Sequence, residues 1–244
     1  MRSAPSADVV SVIDRVVLVL ACFRAEDERL GVSELARRAS LPKSTVSRLV
    51  SELVDHRYLE RDGGGVRLGL RLFELSQLAT RPNALRALAV EAMADLRDEI
   101  GETVMLAVLD GPDVLCLGVL RARGNPRGAA RMGGRTAAHL SAAGRVLLAF
   151  ASPEETATAI GQALLSPHDA AELADELTDI RQRGVAFDID PQSGRVVGVA
   201  SAVFAPGGPP VAALTASGSG DAFDPWRVSS AVRAAALGIE RRMV

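Results

Sequence analysis

The chain of 244 residues has two cysteines, three histidines and one lysine. Cys22 and Cys116 both sit in apolar runs and read as reduced core thiols, not as a disulfide or a metal pair. His56, His139 and His168 are too far apart for zinc-ligand spacing. The nucleophile motif Gly-x-Ser-x-Gly is missing, since Ser217-Gly218-Ser219-Gly220 lacks the outer glycine in either frame. No glycine loop ends in Gly-Lys-Ser or Gly-Lys-Thr to cradle phosphates. The remaining catalytic candidate is the pair Asp188 and Asp190, and two carboxylates at a strand end more often serve turn hydrogen bonds than acid–base work. An enzyme, a metal site and a cofactor are therefore not expected.

Long apolar runs are missing too. None reaches the roughly 18 residues of a membrane span, and Met1-Arg2-Ser3-Ala4-Pro5-Ser6 has no secretory pattern. A cytoplasmic protein without membrane contact is expected. With 48% hydrophobic and 24% charged residues, the composition is that of a globular chain with ample core material for one large or two ordinary domains. The net charge of −2 argues against a nucleic-acid partner only until the chain is divided. Residues 33–71 carry eight Lys and Arg against five Asp and Glu, so one stretch is basic while the acid lies elsewhere.

That basic stretch is also the most patterned. Val46, Leu49, Val50 and Leu53 recur at helical spacing and make one buried stripe, while Lys43, Ser44, Thr45, Ser47 and Arg48 occupy the opposite face. Leu35, Ala36 and Ala39 form a shorter stripe just before, and Leu41-Pro42 breaks the run where a tight turn between helices is needed. Helix-turn-helix is the expectation, with short hydroxyls and two cations on the part of the second helix that meets base edges and phosphates. Ser33, a candidate N-cap of the first helix, belongs to the same DNA-facing set. Tyr58 to Asp62 and Val66 to Gly69 flank a glycine run and predict a β-hairpin. A hairpin directly after a helix-turn-helix is a wing, from which Arg61 and Arg67 are expected to reach the DNA backbone.

Upstream, Val9, Val12, Ile13, Val16, Leu20 and Phe23 fit a helix packing onto this hairpin of helices. Val17, Leu18 and Val19 make it apolar nearly all round, which predicts a subunit contact. After the wing, a short helix through Leu72, Leu75 and Ala79 is expected to stop at Arg81-Pro82. Leu85 to Ile100 then space a long helix closed by Gly101. The domain boundary is set near residue 80: a DNA-binding domain over 1–80, linker helices over about 71–100, and a second domain over 81–244. Beyond Gly101 short β-branched runs alternate with capped helices. Thr103–Leu109 and Val114–Leu120 form a hairpin, Ser152-Pro153 and Ser166-Pro167 start helices, and Val185–Ile189, Val196–Phe204 and Val211–Ala216 are strands. The fold class is α+β, with helices around an antiparallel sheet.

For the second domain a small-molecule pocket competes with an enzyme site. Thr215 and Ser217 alternate with apolar neighbours and so share one strand face. Asp188 ends another strand, and Ala142, Ala143 and Gly144 open a helix whose N–H groups could meet an anion. Three readings stay open at this level: a ligand-responsive DNA-binding protein, an enzyme carrying a vestigial DNA-binding domain, and a winged-helix protein-interaction module.

The order of these segments resembles the IclR family of bacterial transcriptional regulators over nearly the whole chain. The carriers are Leu41-Pro42-Lys43-Ser44-Thr45-Val46-Ser47-Arg48-Leu49, the wing ending Arg67-Leu68-Gly69, and Gly101-Glu102-Thr103-Val104. They continue with His139-Leu140-Ser141-Ala142-Ala143-Gly144-Arg145, Gly184-Val185-Ala186-Phe187-Asp188, Gly198-Val199-Ala200 and Val211 through Gly218. The resemblance implies a winged helix, a linker helix and a C-terminal GAF-like domain. It implies operator DNA and a small effector, an organic or aromatic acid, as partners, with dimers formed through the N-terminal part and often paired into tetramers. It puts the effector pocket on Thr136, Ala142, Ala143, Asp188, Gly198, Thr215 and Ser217. Two departures stand out: many members have Cys where this chain has Gly198, and Pro where it has Ala202. The first implies a roomier pocket floor.

Overall fold

The computed structural model describes residues 11–123, 130–163, 165–189, 192, 196–218 and 223–243, which form two compact units meeting at Thr80/Arg81. In the first unit the chain runs α1 (Val12–Ala21), α2 (Val32–Ala39), α3 (Lys43–Asp55), β1 (Leu59–Asp62), β2 (Gly65–Leu68) and α4 (Leu70–Gln77). Its core gathers Val19, Leu35, Ala36, Ala39, Val46, Leu49, Val50, Leu53, Leu59 and Val66, which includes the two stripes read from the sequence. The helix-turn-helix bend is made by Ser40 in the left-handed region, with the Leu41 N–H donating to the Ala36 carbonyl at 3.1 Å. The wing pairs Asp62 with Gly65, so Gly63 and Gly64 are a two-residue turn. Both have positive φ, of 50° and 91°, which only glycine takes without cost and which matches the twist of the strands.

Several local expectations are corrected. The cap of α2 is Gly31, whose carbonyl accepts from Leu35 N–H at 3.0 Å, and Ser33 is an exposed residue inside the helix. Helix α1 is fixed by a Ser11–Asp14 capping box and turns Val16, Val19 and Leu20 inward, whereas Val12 and Ile13, expected in the core, are exposed along with Val17 and Leu18. Val9 lies outside the described residues. Helix α4 ends at Gln77, and Pro82 falls in the first turn of the next helix, where its missing N–H costs nothing.

The second unit starts with α5 (Thr80–Ile100), closed by Gly101 at φ 76°. It continues with β3 (Thr103–Asp110), β4 (Asp113–Leu120), β5 (Arg135–Ala137), a 3₁₀ turn (Ala138–Leu140), α6 (Ala142–Phe150), α7 (Pro153–Gln162), α8 (Pro167–Arg183), β6 (Ala186–Ile189), β7 (Val196–Phe204), β8 (Pro210–Ser217) and α9 (Pro225–Arg241). The six strands form one antiparallel sheet in the order β5-β4-β3-β8-β7-β6. Alternation splits its residues between two cores. Val104, Leu106, Val199, Val203, Ala212, Leu214 and Ala216 pack with α5 and α9. Ala107, Val114, Ala186, Ala200, Ala202 and Ala213 pack with α6 and α8. The second face is mostly alanine, so α6 can lie close to it.

Candidate functional sites

In the first unit, α3 buries Val46, Leu49, Val50 and Leu53 and presents Lys43, Ser44, Ser47 and Arg48 to solvent, with Thr45 half-buried at the margin. Its N-cap is Pro42, which supplies no side-chain acceptor. In contrast, α1, α6, α7, α8 and α9 are each capped by a Ser or Asp side chain. Helix α3 thus points uncapped amides outward beside Lys43 and Ser44, an arrangement suited to a phosphate. Arg48 lies 3.7 Å from Glu52 and is 71% exposed, so the pair holds it loosely.

The wing arginines differ. Arg61 is opposite Val66 and Arg67 opposite Glu60, so the two project from opposite faces of the hairpin. Arg67 Nε donates to Glu60 at 3.2 Å, and Asp62 is 3.8 Å from its Nη1. Glu60 also accepts the Leu70 N–H at 3.1 Å, capping α4 from the wing, and these two bonds, the Leu70 one foremost, hold its carboxyl below the usual range. Of the cations read from the sequence, Arg67 is thus engaged within the wing.

In the second unit, the register brings most of the pocket candidates together. Across the α6-facing side of the sheet, Asp188 pairs with Gly198, Gly198 with Ser217, and Ser217 with Thr103. The next row on that face is Ala186, Ala200, Thr215 and Met105. Helix α6 starts over these rows: the Ala142 N–H donates to Asp188 Oδ1 at 2.5 Å, and Ser141 Oγ accepts from Gly144 N–H at 3.1 Å. Thr215 is only 4% exposed and its hydroxyl has no hydrogen-bond partner among the described residues. A buried orphan hydroxyl costs about 1–3 kcal/mol, a cost that a ligand would relieve. Thr136 is not brought to this cluster. It is exposed on edge strand β5, opposite Val114 and hence in line with Leu109, four positions along β3 from Met105. Asp190 and Ser219 lie outside the described residues.

Sequence reading missed Arg145. From the second turn of α6 it donates to the Phe187 carbonyl at 2.7 Å and the His139 carbonyl at 3.2 Å, and its Nη2 lies 3.4 Å from Asp188 Oδ1. Its Nε is 3.0 Å from Glu176 on α8, yet it is out of line for a hydrogen bond and its N–H has no hydrogen-bond partner among the described residues. Burial pushes the Asp188 carboxyl above its ordinary value, opposed by the Ala142 N–H and by Arg145. Arg145 closes the His139–Arg145 segment that carries the resemblance, but its role is not legible there, because its carboxylate partner Asp188 lies 43 residues away. Gly198 is also less roomy than expected. The space where a side chain would stand is taken by Asp188, whose Oδ2 lies 3.0 Å from an ideal Cβ position. Two cavities in this unit, of about 380 and 840 Å³, lie toward the other end of β3 around Val108 and Leu109, and neither includes Asp188, Thr215 or Ser217. No group of three or more metal-ligating side chains occurs among the described residues, and none of their helices is long and apolar enough to cross a membrane.

Comparison with known proteins covers both units. Residues 12–63 match the IclR helix-turn-helix domain, and residues 77–241 match the bacterial transcriptional regulator IclR C-terminal domain. The transcriptional repressor IclR of Escherichia coli is 26% identical over 228 residues, spanning 89% of this chain and 83% of that protein. The regulator TtgV of Pseudomonas putida is 30% identical over 187 residues, 74% of this chain and 71% of its own. The crystal structure of an IclR homolog from Microbacterium hydrocarbonoxydans, complexed with 4-hydroxybenzoate, superimposes with a TM-score of 0.84 at 31% identity, covering 96% of this chain and 99% of that one.

Proposed function

Since the chain belongs to the IclR family of bacterial transcriptional regulators, a family of DNA-binding proteins with an effector-binding C-terminal domain and not of enzymes, we propose that it is a ligand-controlled operator-binding dimer or tetramer. In this reading Lys43, Ser44, Thr45, Ser47 and Arg48 enter the major groove. Ser33, Arg61 and Arg67 take the backbone beside it, Arg67 once it exchanges Glu60 for a phosphate. Two copies of α3 then read successive half-sites of a near-palindromic operator. The exposed side of α1, Val12, Ile13, Val17 and Leu18, is the subunit contact that holds them together.

The effector site is the space between the first turn of α6 and the strands bearing Asp188, Gly198, Ser217 and Thr215, with Ala142 and Ala143 as its roof and Thr136 outside the cluster. The observation that carries this reading is the buried, unpartnered Thr215 hydroxyl beneath that helix start. The ligand bound by the Microbacterium relative makes 4-hydroxybenzoate the first candidate. Binding acts by differential affinity for two arrangements of the regulator, relayed through residues 71–100. A 100-fold preference corresponds to about 2.7 kcal/mol.

The test is to sequence genomic fragments retained by the purified protein with and without candidate acids, for wild type and Asp188→Ala. Near-palindromic fragments released by an effector from wild type alone support the reading. Fragments of no shared sequence, or release from both proteins alike, refute the operator or the site respectively.

A further inference from the structure

The first turn of α6 has three amides to satisfy. Gly144 gives its N–H to Ser141 Oγ and Ala142 gives its own to Asp188 Oδ1, leaving the Ala143 N–H without a partner among the described residues. Asp188 therefore occupies, from 46 residues away, the position at a helix N-terminus where a ligand's anion would otherwise be held. Residue 198, without a side chain, leaves it room in this position. A Cβ there would lie 3.0 Å from Asp188 Oδ2 and 3.1 Å from its Cβ, closer than side chains tolerate without displacement. Oδ2 itself rests over Gly198 with no hydrogen-bond partner among the described residues. It shares a register row with Ser217 and lies one row from the unpartnered Thr215 hydroxyl.

The functional groups left for a ligand are thus an acceptor, Oδ2, a hydroxyl that can donate or accept, and one amide. The cations at this end are already engaged: Arg145 offsets Asp188 at 3.4 Å, and Glu176, 3.0 Å from Arg145, is shared with Arg183 at 3.9 Å. A second carboxylate brought against Asp188 would meet a like charge with no free cation beside it among the described residues. We propose that Gly198 and Asp188 together fix the effector's chemistry, so that its inner end is a neutral hydrogen-bond donor, a phenolic or alcoholic hydroxyl placed against Asp188 Oδ2, and never a carboxylate. A carboxylate elsewhere on the same molecule points away from α6. The inference rests on the effector reading above and narrows it to hydroxylated compounds.

The experiment uses the full chain and three probes on one ring: 4-hydroxybenzoate, 4-methoxybenzoate, which keeps the oxygen but cannot donate, and terephthalate, which has a carboxylate at both ends. Affinities are read by calorimetry for wild type, Asp188→Asn and Gly198→Ala, with each variant's thermal unfolding recorded as a check on folding. Wild type is expected to bind 4-hydroxybenzoate about 100-fold more tightly than either analogue. Asp188→Asn keeps an acceptor for the Ala142 N–H and removes the charge, so it should bring terephthalate to within about tenfold of the hydroxy acid. Gly198→Ala, which presses the carboxylate off its seat, should move the ratio the same way. If wild type binds 4-methoxybenzoate or terephthalate as well as 4-hydroxybenzoate, or if both folded variants keep the wild-type ranking, the inference is overturned while the effector reading stands. Wild type indifferent to all three probes removes both.

Discussion

Replacing Gly144 by alanine should loosen the second unit by more than any other single added methyl on α6. An ideal Cβ at this position lies 2.1 Å from the Ala138 carbonyl oxygen, 2.3 Å from its Cα and 2.5 Å from its carbonyl carbon. All three are main-chain atoms of the 3₁₀ turn, so no flexible side chain can swing aside. The helix cannot retreat either, because seven of its nine residues are buried. Overpacking of well-packed sites costs typically 1–3 kcal/mol, and with rigid backbone on both sides the upper end applies, about 3 kcal/mol. At 2–4 °C per kcal/mol for a unit of this size, the melting temperature should fall by about 6–12 °C. The control is the same substitution at Gly161 in α7, where nothing lies within 4 Å of the added carbon. There the gain in helix propensity should raise stability by about 0.5–1 kcal/mol. Thermal unfolding of the full chain followed by far-ultraviolet circular dichroism checks both, and Trp226, 80% exposed on α9, is a poor fluorescence reporter of this core. If Gly144→Ala melts within about 1 °C of wild type, the close approach of α6 to the 3₁₀ turn, and with it the seating of Ala142 over Asp188, is not what orders this end of the domain.

Other expectations concern the first unit. Arg48→Ala or Ser47→Ala should cost about 1–3 kcal/mol of operator affinity and relax specificity at one base position, whereas Lys43→Ala should weaken all sequences alike and lower the salt slope by about one; binding isotherms at several salt concentrations separate the two. Glu34 is held well below its ordinary value of 4.5, down to about 2, chiefly by its hydrogen bond from Arg37 and then by that from Arg38. A depressed carboxyl stabilises the fold above its unfolded pKa, so this contribution is lost as pH falls from about 4.5 to about 2 and should be missing from the acid-unfolding profile of Glu34→Gln. Introducing glutamate at Ile13, which is 75% exposed, should shift sedimentation toward monomer with little change in unfolding; unchanged assembly would place the subunit contact elsewhere.

The local signals were read correctly where one segment contains its own instructions. Gly63-Gly64 made the wing, Ser152 and Ser166 capped their helices, Gly101 and Gly184 ended theirs in the left-handed region, and the stripe from Val46 to Leu53 was the buried face of α3. Local reading failed where two signals compete within a turn or two. Gly31 replaced Ser33 as the cap because Val32 packs against the core and draws the helix start forward. In α1 periodicity could not tell which side of an all-apolar helix would be covered.

The amino-acid order by itself determined the helix-turn-helix with its wing, the antiparallel α+β class of the second unit and the shared strand face of Thr215 and Ser217. Each follows from the 3.6- or 2-residue period and from turn chemistry that acts over a few residues. Only the tertiary structure decided that β3 lies between β4 and β8, that Asp188 caps α6, that Arg145 and Glu176 stand behind it, and that the empty space at Gly198 is filled by a carboxylate. Those contacts join residues tens to more than a hundred positions apart. Their pairing is selected by burying the whole sheet at once, a condition that no window of the sequence contains.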